Sequence, residues 1–520
     1  MQERFQSERA DYDAAKQSRF RRVRIGVASN GSHADYHYRS EGDFLRALEY
    51  ARDLDRNDAV VGRMLTLSAD MTVQAGITAK SNTGLPALND AIDERWKAWE
   101  NDPQECDSQG EMTFGQLQHL AFRQMQADGD IFGLLGDDGR VQHFESHRVR
   151  TPKNTTRNVV HGVLLSELRR RLQVWVTRED IDPTTPLKSV GDVRPYDFYD
   201  DEGRRRIVHL RQVKRMSQTR GVTALAPIFD LCGMAGDIHF AKLVQAQVVS
   251  CWGLFLKRTS EYEGGPAPQL GEITQNTRSD GSVETIENQS PGMIIRGVKG
   301  EEPVVIDAKI PNPEYFPFIQ LTHRMMMAAL GLPYMLVMLD ASDTNFSGWR
   351  GAYDTAKMGW RQNQRSLVSQ YVMPIRHWKI ADWLANDPVI ARLAARKTVR
   401  SPYGCTYHPP TYPYIQPTQD ALTDILMLAN MLTSPQRHFA SKGEDAYDIA
   451  AETIEFRKDQ IIAASQAAAE INTACGLKGA GAVTWRDLLP MPSAQGMNIT
   501  LNATPEQSTK KQPAGAGGNE

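Results

Sequence analysis

The sequence predicts a mainly helical α+β protein with more than one packed region. Three observations carry this reading. Apolar residues recur at three- and four-residue steps over long stretches, which is the helical period. Short β-like runs bounded by Gly, Pro, Asn and Asp gather in the stretches 130–215 and 259–312. The 520 residues also exceed the roughly 250–300 at which a single hydrophobic core stops growing.

Composition narrows the function classes. With 41% apolar residues and 39 glycines the chain has the make-up of an ordinary globular protein, which excludes wholesale disorder, collagen and a disulfide mini-scaffold. Sixty basic residues against 63 acidic ones leave a formal charge of −3. That excludes a surface that is basic throughout, but not a locally charged channel. Five cysteines (Cys106, Cys232, Cys251, Cys405, Cys475) lie at long, unrelated spacings with no CxxC pair. They are expected to be buried, inert thiols rather than a disulfide framework or a zinc ribbon. The N-terminus mixes charges of both signs and has no apolar core, so no signal peptide is expected. The most apolar stretch, 243–256, is too short for the roughly 20 residues of a membrane span. A soluble protein made in a cytoplasm is the expectation.

The elements follow in order. Residues 1–40, with Arg19, Arg21, Arg22 and Arg24 clustered, read as a mobile arm. A helical stretch over 42–75 carries Leu45, Leu48, Ala51 and Leu54, then Val60, Met64, Leu67 and Met71. A second, over 88–99, presents Ile92, Trp96 and Trp99, and a third starts at Thr113 as its cap. Asp137-Asp138-Gly139 after the apolar run 131–135 predicts a hairpin. Strand-like pieces at 162–165, 172–176 and 207–210 complete a small α+β unit over 130–215.

Beyond it, 224–258 reads as one long, mostly apolar helix, and 259–312 as a β-containing insertion with pieces at 292–295 and 303–306. Pro313 opens another helix, closed by Gly331 and Pro333. The longest helix is expected over 349–384. Trp349, Tyr353, Ala356, Trp360, Leu367, Tyr371 and Trp378 form a seam that must be buried, with Pro374 as a kink. The C-terminal section is helical over 418–432 and 445–473, and the last fifteen residues read as disordered.

Catalytic signals are weak. There is no GxxxxGK[ST], HExxH or GxSxG. Asp340, Ser342, Asp343 and Asn345 form an acidic cluster, but Gly and Glu are missing where a calcium loop needs them. Cys405 and His408 have no second ligand pair, and His209, His239 and His323 stand isolated in sequence. Met325, Met326 and Met327 read as flexible core filler. Arg350, Lys357, Arg361 and Arg365 share a stripe of the longest helix, either as solvated or intersubunit ion pairs or as a track for DNA phosphates.

The order of motifs resembles the lambda-like portal proteins of tailed bacteriophages over roughly residues 45–470. The residues that carry it are Leu54-Asp55-Arg56-Asn57-Asp58-Ala59, Trp96 and Trp99, the helix 113–123, and Asp128-Gly129-Asp130 with Phe132. They continue through His147-Arg148-Val149-Arg150-Thr151-Pro152, Gln218-Thr219-Arg220-Gly221-Val222 and Pro291-Gly292. Next come Phe316 with Phe318, Leu330-Gly331-Leu332-Pro333-Tyr334 and Asn345-Phe346-Ser347-Gly348-Trp349-Arg350, then the segment 443–445 with Glu452. Asn57-Asp58 in place of two asparagines, and Gly348-Trp349 where Ser is favoured, depart from the pattern.

The resemblance implies a portal fold assembled as a ring, a homo-oligomer of about 12 subunits at one capsid vertex. It implies a wing (41–223), a stem of two helices (224–258 and 313–331), a clip (259–312) and a tunnel loop (332–348). The long wing helix and its connection (349–417), a helical crown (418–475) and a flexible tail (476–520) follow. Implied partners are the terminase large subunit, head-completion adaptor proteins, major capsid and scaffold proteins, and double-stranded DNA passing through the bore. No catalytic residue, cofactor, metal or membrane is implied, and the protein is expected in the virion and, during assembly, in the host cytoplasm. A bore must not grip its cargo, since each neutralised phosphate adds affinity. Asp340, Ser342, Asp343, Asn345 and Ser347, in a segment without Lys or Arg, suit such a lining, and the seam of the long helix with the stem helices is expected to close the ring. Two other readings compete: a DNA-processing enzyme holding Mg²⁺ at Asp340 and Asp343, and another capsid-associated minor structural protein.

Overall fold

The computed structural model describes residues 41–152, 159–178, 193–216, 218–251, 255–258, 272–277, 283–288, 301–304, 315–340, 342, 344–413, 415–442 and 444–489. The expected arm 1–40, the β piece 292–295, Pro313, Asp343 and the last fifteen residues lie outside them. The contacts divide the chain into a unit through Pro417 and a unit from Thr418.

In the first unit the stretch 42–75 is two helices, α1 (Glu41–Asn57) and α2 (Ala59–Val73), not one. Asp58 causes the break: its backbone is extended, and its carboxylate accepts hydrogen bonds from the amides of Val60 and Val61. A capping side chain restarts the helix more favourably than it continues one. After β1 (Thr78–Ser81) come α3 (Pro86–Asn101), the single turn α4 (Pro103–Cys106) and α5 (Phe114–Asp128). Thr113 caps α5 in a reciprocal box with Gln116, as its position before the apolar run predicts.

The predicted hairpin is present as β2 (Asp130–Leu135) and β3 (Val141–Glu145). Then come β4 (Val159–Val160), β5 (Val163–Leu165), β6 (Arg171–Thr177), β7 (Val193–Asp197) and β8 (Ile207–Arg211). They form two antiparallel sheets, β3-β2-β8 and β4-β5-β6-β7. Phe132, Phe144, Val174, Val176 and Phe198 fill the space they share.

The stretch 224–258 is helical only as α6 (Phe229–Cys251), and Phe255–Arg258 is a strand, β9. β10 (Glu272–Thr277) pairs antiparallel with β11 (Val283–Asn288), and β12 (Glu301–Val304) with β9. Then α7 (Tyr315–Ala328) returns along α6, with Tyr315 Oη 2.6 Å from His239 Nδ1. Two helices thus flank a β insertion, the arrangement the apolar pattern suggested.

Past the one-turn helix α8 (Tyr334–Val337), the longest expected helix is three pieces: α9 (Phe346–Leu367), a π-turn (Val368–Val372) and α10 (Met373–Asn386). Pro374 explains the join. Its ring displaces the carbonyl one turn back, and a wider turn absorbs the displacement without a sharp break. Tyr353, Ala356, Trp360, Leu367 and Tyr371 are buried within this same chain, against α2, α5 and β8. The seam is therefore core, which corrects the expectation that it closes a ring. α11 (Pro388–Ala394) packs on α3, and β13 (Cys405–His408) pairs antiparallel with β1, tying the late chain to the first helices.

The second unit holds α12 (Pro417–Ala429), α13 (Pro435–Ser441), α14 (Ala446–Cys475) and the turn α15 (Trp485–Leu488). α13 was not legible from periodicity, being seven residues long. Among the described residues of this unit, only Ala464 and Ala468 are buried. Across the described residues, no helix is long and apolar enough to cross a membrane. Cys106 and Cys232 are buried, and burial pushes both thiols up to about 12. Cys475 is exposed, contrary to expectation, because it ends a helix with little packed against it.

Candidate functional site

The segment 332–348 is polar where expected but shorter as a loop. Leu332 is buried and α8 occupies Tyr334–Val337. The exposed part begins at Met338, and Leu339, with a φ of 55°, follows it. Asp340 accepts from the amide of Ser342 at 3.0 Å and from its hydroxyl at 2.7 Å. These bonds hold the carboxyl below its ordinary value. Asn345 caps α9, its side-chain oxygen 2.7 Å from the amide of Gly348. A Cβ on Gly348 would lie 2.9 Å from that oxygen, so glycine there lets the cap close.

Ser347 is therefore in the first helical turn, exposed, and not in the loop. Asp340, Ser342 and Asn345 are exposed as well. Among the described residues no three His, Cys, Asp or Glu side chains gather to hold a metal. Cys405 and His408 belong to the β1–β13 pair.

The basic stripe divides in two. Lys357 bonds Asp354 at 3.0 Å and lies 4.4 Å from the centre of the Tyr353 ring. Arg350 reaches Gln416 at 3.3 Å and Asp354 at 3.9 Å. Arg361 and Arg365 are exposed on α9. The first pair secures the helix to its surroundings, and the second is presented to solvent.

Sequence reasoning missed a densely connected buried ionic cluster among the described residues. Asp130 is completely buried and accepts from Arg220 Nε at 2.7 Å, Arg220 Nη2 at 3.0 Å and His209 Nε2 at 3.1 Å. It also accepts from the hydroxyl of Ser146 at 2.5 Å and the amide of Gly221 at 2.9 Å. Burial alone would raise its pKa, but the Arg220 charge and these bonds hold it well below the carboxylate range. Burial pushes His209 down to about 3, so it is a neutral donor to Asp130. A fully enclosed carboxylate with every oxygen engaged is a lock, not a reactive group. The signal for it was present: charged residues beside glycines in Asp128-Gly129-Asp130 and Arg220-Gly221.

Isolation in sequence misled for two histidines. His239 and His323 stack with ring centres 6.2 Å apart, brought together by α6 and α7.

The family profile described as phage portal protein, lambda family, matches residues 24–364. That is well over half of the chain. This chain belongs to the lambda family of phage portal proteins. No curated protein matches it. Similar chains occur in three solved structures of gene transfer agent (GTA) particles. One is the virion of the native particle, at 13% identity and a TM-score of 0.37, covering 75% of this chain and 91% of that one. Another is the neck of the native particle computed with C12 symmetry, at 12% identity and 0.38, covering 74% and 89%. The third is the neck of the empty particle computed with C6 symmetry, at 13% and 0.43, covering 76% and 93%.

The residues on which the portal resemblance rests are joints of the fold. Asp55 takes both arms of Arg123, at 2.9 and 2.7 Å. Asp128 takes Arg52, and Glu41 accepts from the amide of Thr151. Trp96 packs edge-on and Trp99 tilted against Phe114 in the main core. The family pattern in this portal chain thus records how α1, α5, the sheets and the start of α6 are held together.

Proposed function

We propose that this chain forms the ring at one capsid vertex through which double-stranded DNA is packaged, retained and released. Membership of the portal family supports this most directly. Exposed apolar surface supports it too. Phe240 is 70% exposed on α6 and Phe316 55% exposed on α7, in company with Leu243, Phe318 and Leu321. Contiguous apolar surface on a helix pair marks a contact with another molecule. The second unit makes the same demand, because residues 451–463 of α14 are exposed on every face, Ile454, Phe456, Ile461 and Ile462 among them. In a head-to-tail ring each copy covers its neighbour's exposed face, and rotation closes the assembly.

In this reading 41–223 with the long helix is the wing, 224–258 and 313–331 the stem, 259–312 the clip and 418–475 the crown, in a homododecamer. The clip faces the terminase large subunit during packaging and head-completion adaptors afterwards, and the wing meets capsid and scaffold proteins. The protein acts in the virion, having assembled in the host cytoplasm, and hydrolyses nothing itself. The exposed Asp340 segment, free of Lys and Arg, points its polar groups at passing DNA without gripping it. Arg361 and Arg365 contact a neighbouring copy or DNA.

Native mass spectrometry with negative-stain microscopy of the full chain tests the assembly. A ring with a through-hole is expected, and a compact monomer or dimer under associating conditions overturns the proposal. Changing Asp340 and Asp343 together to Lys is expected to impair DNA packaging or retention while rings still form. Unchanged packaging counts against the loop's role.

A further inference from the structure

Four histidines of the described chain lie against carboxylates: His119 against Asp70, His147 against Glu145, His209 against Asp130 and His438 against Asp424. His239 of α6 and His323 of α7 meet each other instead, with ring centres 6.2 Å apart and planes 24° apart. Asp58, whose charge acts on His323, gives one oxygen to the amides of Val60 and Val61. Of the neighbouring cations, Lys242 bonds Gln245 at 3.0 Å and sits 5.9 Å from the centre of the Tyr315 ring. Arg324 lies over the ring of Tyr334. Neither stands in a salt link with the histidine pair.

Tyr315 orients this pair. It stands about two turns before His323 on α7, and its ring meets His239 edge-on with centres 5.9 Å apart. Its Oη lies 2.6 Å from His239 Nδ1. When Nδ1–H donates to that oxygen, the lone pair of His239 Nε2 is left bare. A ligating histidine is held in this way, with its second nitrogen fixing tautomer and ring orientation. Zinc binds imidazole nitrogen at about 2.0–2.1 Å, so two rings sharing one ion stand about 5–6 Å apart centre to centre. The observed separation is at the open end of that range. His239 is exposed on α6, so a small side-chain rotation closes the remainder.

We propose that His239 and His323 form an open two-histidine site for a divalent transition-metal ion of the zinc type, clamping α6 to α7. Imidazole suits zinc, copper and nickel, whereas magnesium and calcium take oxygen ligands. Among the described residues no third His, Cys, Asp or Glu gathers with the pair. Water therefore fills the remaining positions and the ion exchanges, unlike the closed four-ligand sites of structural zinc. The clamp fixes the register of the two helices whose outer faces carry Phe240 and Phe316. It is complete within one chain, so its failure leaves the ring reading untouched.

The test titrates Zn²⁺ into the full chain against a chromophoric chelator, with Cys475→Ser throughout to remove the exposed thiol. One site per chain is expected. His239→Gln and His323→Gln should each weaken it about 100-fold, because a chelate becomes a single ligand. Tyr315→Phe keeps the ring and should weaken it roughly tenfold, the loss usual when a ligating histidine is deprived of its partner. His119→Gln, on α5, should leave it unchanged.

Cu²⁺ in place of Zn²⁺ should give an electron paramagnetic resonance spectrum split by two nitrogens, a readout independent of stability. His239→Gln changes an exposed residue and is expected to melt with the parent. If either histidine variant misfolds, the copper spectrum of the parent still decides. Zinc binding that survives both histidine changes, a spectrum split by one nitrogen or none, or equal competition by Mg²⁺ overturns the proposal.

Discussion

Arg220 holds Asp130 with two parallel hydrogen bonds, Nε to Oδ2 at 2.7 Å and Nη2 to Oδ1 at 3.0 Å, across ninety residues of sequence. The same guanidinium donates to the carbonyls of Ser146 and His161 at 2.8 Å each and lies over the rings of Phe44 and Phe132. One side chain therefore joins α1, β2, the turn after β3, the loop before β5 and the lead into α6. A planar, permanently charged fork is the only side chain that can reach so many acceptors at once.

Replacing Arg220 by Met leaves Asp130 buried with its charge uncompensated. The expected loss is about 3–5 kcal/mol of stability, read as a lower denaturant midpoint. The double change Arg220→Met with Asp130→Leu should recover part of it, because the lone charge is then gone. A loss under about 1 kcal/mol in the single variant contradicts the lock.

His209 makes the fold sensitive to acid. Its value is about 3 in the folded protein, against roughly 6.5 in an unfolded chain. Between those values the unfolded state holds the extra proton, so stability falls as pH falls, by about 1.4 kcal/mol per unit. The contribution is fully present above pH ~6.5. Asp130, also depressed, adds a further loss only below its ordinary value near 3.9. Equilibrium unfolding between pH 6 and 4.5 should show a slope that His209→Gln reduces by about one proton.

Gly129 and Gly221 touch where the two motifs cross. A Cβ on Gly221 would lie 1.8 Å from the carbonyl oxygen of Gly129, and one on Gly129 would lie 2.6 Å from the Val222 carbonyl carbon at a φ of 98°. Both obstacles are backbone and cannot swing aside. Gly221→Ala is expected to cost more than about 3 kcal/mol or to abolish soluble expression, whereas Gly351→Ala, facing open space on α9, should be neutral or slightly stabilising. Comparison of soluble yield and melting temperature decides it.

Two kinds of large apolar residue separate by their effects. Trp360→Ala, in the core under α9, should cost about 3–5 kcal/mol in the isolated chain. Phe240→Ser and Phe316→Ser, on the exposed faces of α6 and α7, should leave the monomer within about 0.5 kcal/mol while reducing the fraction of rings in native mass spectra. Equal ring fractions in parent and variants place those faces outside the assembly contact.

Local chemistry along the chain was enough for the helices, the Thr113 cap, the 131–145 hairpin, the paired helices around a β insertion and the burial of the 353–371 seam. Each depends on neighbours within a turn or two, where period and capping are written directly in the residues. The order of short motifs also carried the portal family. Other features needed the folded chain. Asp58 broke a helix that periodicity ran together, and Pro374 produced a π-turn where a kink was expected. The partner of the α9 seam proved to be this chain's own helices and β8, and His239 met His323. Above all, Asp130 and Arg220 became partners. Pairing across such separations depends on which surfaces the sheets and helices bring into contact, and the free energy of a buried charge is set by that enclosure rather than by its neighbours in sequence.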